Sequence, residues 1–195
     1  VRFKPGRDQI AAAEGLYAQD SNPVMDLMAE EGIRALAQAL PAIRQRSDDG
    51  EGRANALYGA WLCGTVLGNV GMALHHKLCH TLGGSFNLPH AEVHTVILPQ
   101  AIAFNAAAAP QAMARIVRAL GTQGKASAAA GLFDLARDNG APIALKDIGM
   151  KEADLDRAAD IAVSNPYWNP RPFGPAQRDA IRELLQRAFE GTRPD

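Results

Sequence analysis

ANALYGAWLCGTVLGNVGMALHHKLCHTL, residues 54–82, decides the fold class of this chain. Apolar side chains fall on nearly every side of its helical projection, and glycines recur at Gly59, Gly64, Gly68 and Gly71. No polar–apolar alternation of the kind a half-buried strand shows interrupts them. A helix that is apolar all round belongs at the centre of a bundle, and its glycines let neighbouring helices approach closely. The reading predicts one buried helical stretch from Ala54 to about Leu82, broken by Gly83-Gly84.

Upstream, RQRSDDGEGR (44–53) reads as a polar loop. Before it, Val24, Leu27, Met28, Ile33, Leu36 and Leu40 form a helical stripe, with Asn22-Pro23 supplying a cap and a first-turn proline. Downstream, Pro89 restarts the helical pattern at His90, which runs to about Asn105. Further helices are predicted near Pro110–Leu120, Lys125–Asp138, Glu152–Ser164 and Pro175–Phe189, the second of these ended by Asn139-Gly140. NPYWNPRPFGP, residues 165–175, is a proline-rich loop. Abundant alanine and only 6% aromatic residues favour closely packed helices. The fold expected is all-α, a helical bundle forming one domain over residues 1–195.

Composition narrows the function. A formal net charge of −1 gives no basic field for nucleic acid or an anionic membrane. No run approaches the roughly 18 apolar residues of a membrane span, and the start VRFKPGRDQ lacks a signal-like apolar core, so a cytoplasmic protein is expected. Cys63 and Cys79 sit in apolar helical runs without CxxC spacing and read as reduced core thiols. Neither GxGxxG nor GxxxxGK[ST] occurs, so the chain carries no recognisable nucleotide-phosphate loop.

All five histidines lie between His75 and His94. His76 and His80 are four apart, as are His90 and His94, so each pair shares a helical face, and the short GGSFNLP between them can bring the two faces together. Imidazole suits both metal ligation and proton transfer near neutral pH. His75 points about 100° away from His76 and is expected to be a packing or surface residue. Asn87 and Glu92 are candidates to orient an imidazole. Tyr167 and Trp168 either line a pocket or pack; Asp20-Ser21-Asn22 reads as a helix cap; Arg171 either binds an acidic substrate or caps a helix C-terminus.

The run GNVGMALHHKLCHTLGGSFNLPHAEVHTVILPQAIAFN (68–105) resembles the signature of the iron-containing alcohol dehydrogenase family: His76, three residues, His80, then Leu82-Gly83, Pro89-His90 and an apolar helix reaching Leu98-Pro99. HHKLCH, FNLPHAEVH, LYAQDSNPVMDLMAEEGIRAL and NPYWNPRP are similar to the maleylacetate reductases within that family, and the likeness extends from about Glu14 to Glu190. It implies the C-terminal helical half of an NADH- or NADPH-dependent reductase that converts maleylacetate to 3-oxoadipate in aromatic-compound catabolism. The nucleotide would be held by an N-terminal α/β domain that this chain lacks.

By the same resemblance, His76 and His90 match the metal-ligating histidines, and His80 matches the histidine near the substrate. The catalytic set expected is therefore His80, His76 and His90, with a small dicarboxylate as substrate. Iron-dependent relatives add an Asp and a His four apart; here Arg7 and Ala11 stand about there, with Asp8 nearby, so iron or zinc binding is expected to be weak or absent. The face meeting the nucleotide-binding domain is expected to be apolar and to favour a dimer or other homo-oligomer. Two alternatives compete: an inactive helical binding module, and a metal-dependent hydrolase using His76, His80, His90 and His94.

Overall fold

A computed structural model of the chain describes residues 13–164 and 170–195, so Arg7, Asp8, Ala11, Tyr167 and Trp168 lie outside the described residues. Helices alone form the regular structure there, as expected. In order they are α1 (Pro23–Gln45), α2 (Gly50–Asn69), α3 (Leu74–Phe86), α4 (His90–Asn105), α5 (Pro110–Leu120), α6 (Ala128–Asp138), α7 (Leu155–Val163) and α8 (Arg178–Glu190), with short 3-10 turns between some of them.

Local signals set many of these ends. The Asn22 side chain accepts from the Val24 and Met25 amides ahead of Pro23, which is the predicted cap. Ser127 caps α6, starting it three residues later than Lys125, and Gly140 follows its end at φ +73°. The polar loop is shorter than expected: α1 runs to Gln45 and α2 starts at Gly50.

Three expectations for residues 54–84 fail. The stretch is two helices bent by 93°, with the break at 70–73. The cause is long-range: the Asp20 carboxylate takes the Gly71 amide at 2.8 and 3.0 Å, and Glu14 takes the amides just beyond it. Gly83-Gly84 does not break the helix either. Both lie inside α3, which ends at Phe86 with Asn87 in the left-handed region (φ 52°).

Nor is α2 buried all round. Its inner face meets α1 through paired glycines: a Cβ on Gly59 would lie 2.8 Å from Leu36 Cγ, and one on Gly32 would lie 2.6 Å from Cys63 Sγ. Its outer face leaves Leu57, Tyr58 and Trp61 exposed. The central helix is instead α4, whose buried residues run almost unbroken from Val93 to Ile102. It continues through Pro99 to Asn105 and borders both apolar clusters. One is built on α1, α2, α5 and α6, the other on α3, α7 and α8. Cys63 and Cys79 are both buried and form no disulfide, as predicted. No single helix among the described residues is long and apolar enough to cross a membrane; α2 and α3 reach that composition only as a bent pair.

Candidate active site

The site is built where α3 turns into α4. Three residues, Asn87-Leu88-Pro89, join the helices, and the left-handed conformation of Asn87 reverses the chain. Asn tolerates that conformation better than most residues. Asn87 is therefore an exposed C-cap, with no bond to an imidazole.

The reversal packs the five imidazoles into one continuous array. Ring centroids lie 5.3 Å apart for His75–His76, 4.8 Å for His75–His94, 5.1 Å for His76–His94, 6.3 Å for His76–His80, 6.2 Å for His80–His90 and 4.2 Å for His90–His94. The predicted convergence of the two helical pairs is present. What the spacing did not reveal is the gradient across the array, from fully buried His75 and His94, through partly buried His76, to exposed His80 and His90.

His75 is a packing residue, one of its two expected fates. Its Nε2–H donates to the His94 carbonyl at 3.0 Å and lies 3.2 Å from Cys79 Sγ. Burial, reinforced by the neighbouring His94 and His76 rings, holds its pKa well below the ordinary histidine value, so the ring is neutral. Burial, with the Glu14 carboxylate nearby, pushes the Cys79 thiol up, so it is not an activated nucleophile.

His76 is held by a residue to which the sequence reading gave no role. Glu14 is fully buried and accepts from the amides of Ala73 (3.2 Å), His75 (2.9 Å) and His76 (3.2 Å). These are orphan donors at the start of α3, where Ala73 offers no side-chain cap. A carboxylate from about sixty residues away thus acts as the cap, and the positive end of the helix favours its charge. Its Oε2 also lies 2.7 Å from His76 Nδ1. That contact engages Nδ1 and leaves Nε2 as the ring's other nitrogen. The signal available in the sequence was a single carboxylate inside the apolar run AAAEGLY.

Beyond His76 an open pocket of about 400 Å³ is lined by Cys79, His80, Gly83, Gly84, Leu88 and His90. Here lies the use of the paired glycines. A Cβ on Gly83 would sit 3.6 Å from His90 Nδ1, and one on Gly84 would meet nothing within 4 Å, so both leave the pocket wide. Arg171 proves to be a cap: its Nη1 donates to the Phe104 carbonyl at 3.3 Å near the end of α4, with the guanidinium 4.6 Å from the Phe104 ring. Asp20, Ser21 and Asn22 likewise serve the backbone and a cap; Ser21 donates to Asp26 at 2.7 Å.

Two groups of three donors lie close enough to share a cation among the described residues: His75, Cys79 and His94, and Glu14, His75 and His76. Both use His75, whose Nε2 is already committed to a backbone carbonyl. Neither contains His90. The hydrolase alternative needs His76, His80, His90 and His94 around one ion, and neither of these groups brings those four together.

Comparison with known proteins gives a consistent answer. Residues 9–189 match the model of the Fe-containing alcohol dehydrogenase family, C-terminal. A maleylacetate reductase of Burkholderia cepacia is 61% identical over 183 residues, covering 94% of this chain and 50% of that protein. One from Rhizobium sp. strain MTP-10005 is 54% identical over 184 residues, with the same two coverages of 94% and 50%. The crystal structure of maleylacetate reductase from Agrobacterium tumefaciens superposes with a TM-score of 0.91 at 54% identity, covering 97% of this chain and 52% of that one. The chain thus spans about half the length of the curated relatives it matches.

Proposed function

The chain belongs to the iron-containing alcohol dehydrogenase family, matching its C-terminal helical part, and from that premise we propose that it forms the helical half of a maleylacetate reductase. The observation that carries this reading is the His80–His90 pair facing an open pocket, on a chain more than half identical to proteins of that name. The same kinship weighs against an inactive binding module and against a hydrolase.

In this reading the partners are a small dicarboxylate and a nucleotide-binding domain, and the setting is the cytoplasm. NADH or NADPH, when bound, supplies the hydride. The described residues do the rest. Two exposed imidazoles 6.2 Å apart give the pocket positive charge when protonated, matching a dianionic substrate. Hydride addition to the alkene carbon remote from the ketone drives the π electrons toward the ketone oxygen. The imidazolium of His80 stabilises that enolate and returns a proton to the adjacent carbon, completing reduction of the carbon–carbon double bond. His90, given room by Gly83, shapes the wall, and His76, fixed by Glu14, stands beside His80.

A metal of the kind the family name implies would draw on His76 and His90. Those two imidazoles fall short of the four ligands a closed site takes, and no group of three donors among the described residues includes His90. The described residues therefore do not fit a complete metal site, and no step is routed through one.

The test is to mix the chain with the nucleotide-binding half of a maleylacetate reductase and follow NADH oxidation. Turnover dependent on maleylacetate is expected, and it should be lost with His80→Ala. Turnover of other alkenes or ketones but not of maleylacetate would overturn the assignment.

A further inference from the structure

The joint between α2 and α3 is held by residues that belong to neither helix. The segment EGLYAQD, residues 14–20, touches it on three sides. Glu14 takes the amides of Ala73, His75 and His76 at the start of α3, and its Oε1 also receives the Tyr17 hydroxyl at 3.4 Å. Gly15 lies against the last turns of α2, where a Cβ would collide with Val66 Cγ1 and stand 3.4 Å from Val70 Cγ2. Asp20 takes the Gly71 amide with both oxygens, inside the break itself. α3 packs on α4 and α7, so its joint with α2 is left to these contacts.

The two carboxylates stand in different surroundings. Glu14 is fully buried and serves the fold as well as His76. Asp20 and Gly71 are both exposed, and water would satisfy that amide if the carboxylate were gone. Stability therefore gives little reason for the bond. Its effect is geometric: it fixes where the chain turns through 93° between α2 and α3.

That turn sets the direction of the helix that carries His76 and His80. The far end of α3 is pinned by the three-residue connection to α4. A helix of 13 residues is about 20 Å long, and His80 is its midpoint. A shift of about 1 Å at Leu74 therefore moves His80 by about half as much, while Gly83 and Leu88, beside the connection, move little. Chemistry is sensitive on that scale, because about 1 Å of misplacement lowers a rate on the order of a hundredfold.

We propose that residues 14–20 form a clasp that aims α3 at the pocket, and that Asp20 is a remote positioning residue for His80. Asp20 bonds the Gly71 amide and is not among the residues lining the pocket, so it acts through the direction of the helix. Glu14 and Gly15 hold the same segment against α3 and α2, which makes the Asp20 bond the outermost of three fastenings. The consequence for turnover rests on the reductase reading; the consequence for the placement of the rings does not.

The experiment compares Asp20→Ala, Asp20→Asn and Asp134→Ala in the chain assembled with a nucleotide-binding half, with turnover normalised to folded protein by urea denaturation. Asp20→Ala should lower kcat about tenfold, the effect of a half-ångström shift, and leave the KM for NADH unchanged. Asp20→Asn keeps an acceptor for the Gly71 amide and should restore kcat to within about twofold. Asp134→Ala removes the carboxylate that holds Arg193 and should leave kcat unchanged. Nitrogen NMR of the 195-residue chain gives a readout free of turnover: the His76 and His80 ring signals should move in Asp20→Ala and return in Asp20→Asn. Asn also lacks the charge, so recovery there separates geometry from electrostatics. An unchanged kcat per folded molecule in Asp20→Ala, ring signals that stay in place, or an equal loss in Asp20→Asn would overturn the clasp. If the unsubstituted assembly does not turn over maleylacetate, the reductase reading fails and the ring signals alone decide the clasp.

Discussion

His94 lies within ring contact of His90, and His75 within ring contact of His94, yet the inner and outer imidazoles answer to different physics. The inner pair is buried, and His75 is held neutral by burial and committed to a backbone carbonyl. The outer pair, His80 and His90, is exposed on an open pocket. His76 stands at the boundary, anchored inward by Glu14. One residue type, repeated five times within twenty positions, thus supplies both the frame and the working surface, and depth decides which. The inner imidazoles are packed into the fold; the outer ones line the pocket.

Substitutions that exchange those roles are the sharpest way to break this division. The largest effect is expected for His80→Ala in the assembled reductase: activity falls by about a hundred- to ten-thousandfold, while urea denaturation shows a stability change within about 0.5 kcal/mol. The inner site should behave in the opposite way. His75→Ala leaves a cavity and strips the His94 carbonyl of its donor, and should cost about 2–4 kcal/mol in the same denaturation measurement. Equal effects of the two substitutions on stability would dissolve the distinction.

Glu14→Gln tests the boundary. Loss of charge from a carboxylate that serves three amides and one imidazole should cost about 1–3 kcal/mol. Nitrogen NMR should show His76 leaving the tautomer protonated at Nδ1. An unchanged tautomer would mean that the carboxylate does not orient the ring.

The pH dependence follows from His75. Its folded pKa lies below that of the unfolded chain, about 6.5, so the unfolded state binds more protons between the two values. Its contribution is complete above about pH 6.5 and declines as the pH falls below it. Denaturation from pH 8 to pH 5 should show that decline, and His75→Asn should flatten it. The smallest effect is expected at Gly83: the Cβ of Gly83→Ala would reach ordinary contact with His90 Nδ1, so stability should change by less than about 1 kcal/mol while the Michaelis constant rises as the pocket narrows.

How much of this was legible in the sequence depends on the range of the determining interaction. The helices expected from His90 to about Asn105 and near Pro110–Leu120 were readable, because Pro89 precedes the first, Pro110 opens the second, and local apolar spacing continues both. Convergence of the histidine pairs was readable for the same reason, since only a short connection separates them. The break at 70–73 was not, because the groups that make it, Asp20 and Glu14, act from more than fifty residues away. Periodicity also could not rank the histidines by depth. That ranking is set by α4, which passes between the two apolar clusters and buries His94 while leaving His90 outside. The outer face of α2 was misjudged likewise: an all-round apolar pattern reads as burial whether or not a neighbour in the same chain covers it.

The three-residue connection after α3 has a mechanical consequence. With the φ angle of Pro89 restricted and Asn87 already folded back, the tether holds almost no slack. Spacing across the mouth of the cleft is therefore fixed by covalent geometry rather than by distant packing. Loosening of the far bundle, at α5 or α6, would leave that gap unchanged, whereas lengthening the hinge by a single residue would splay it open.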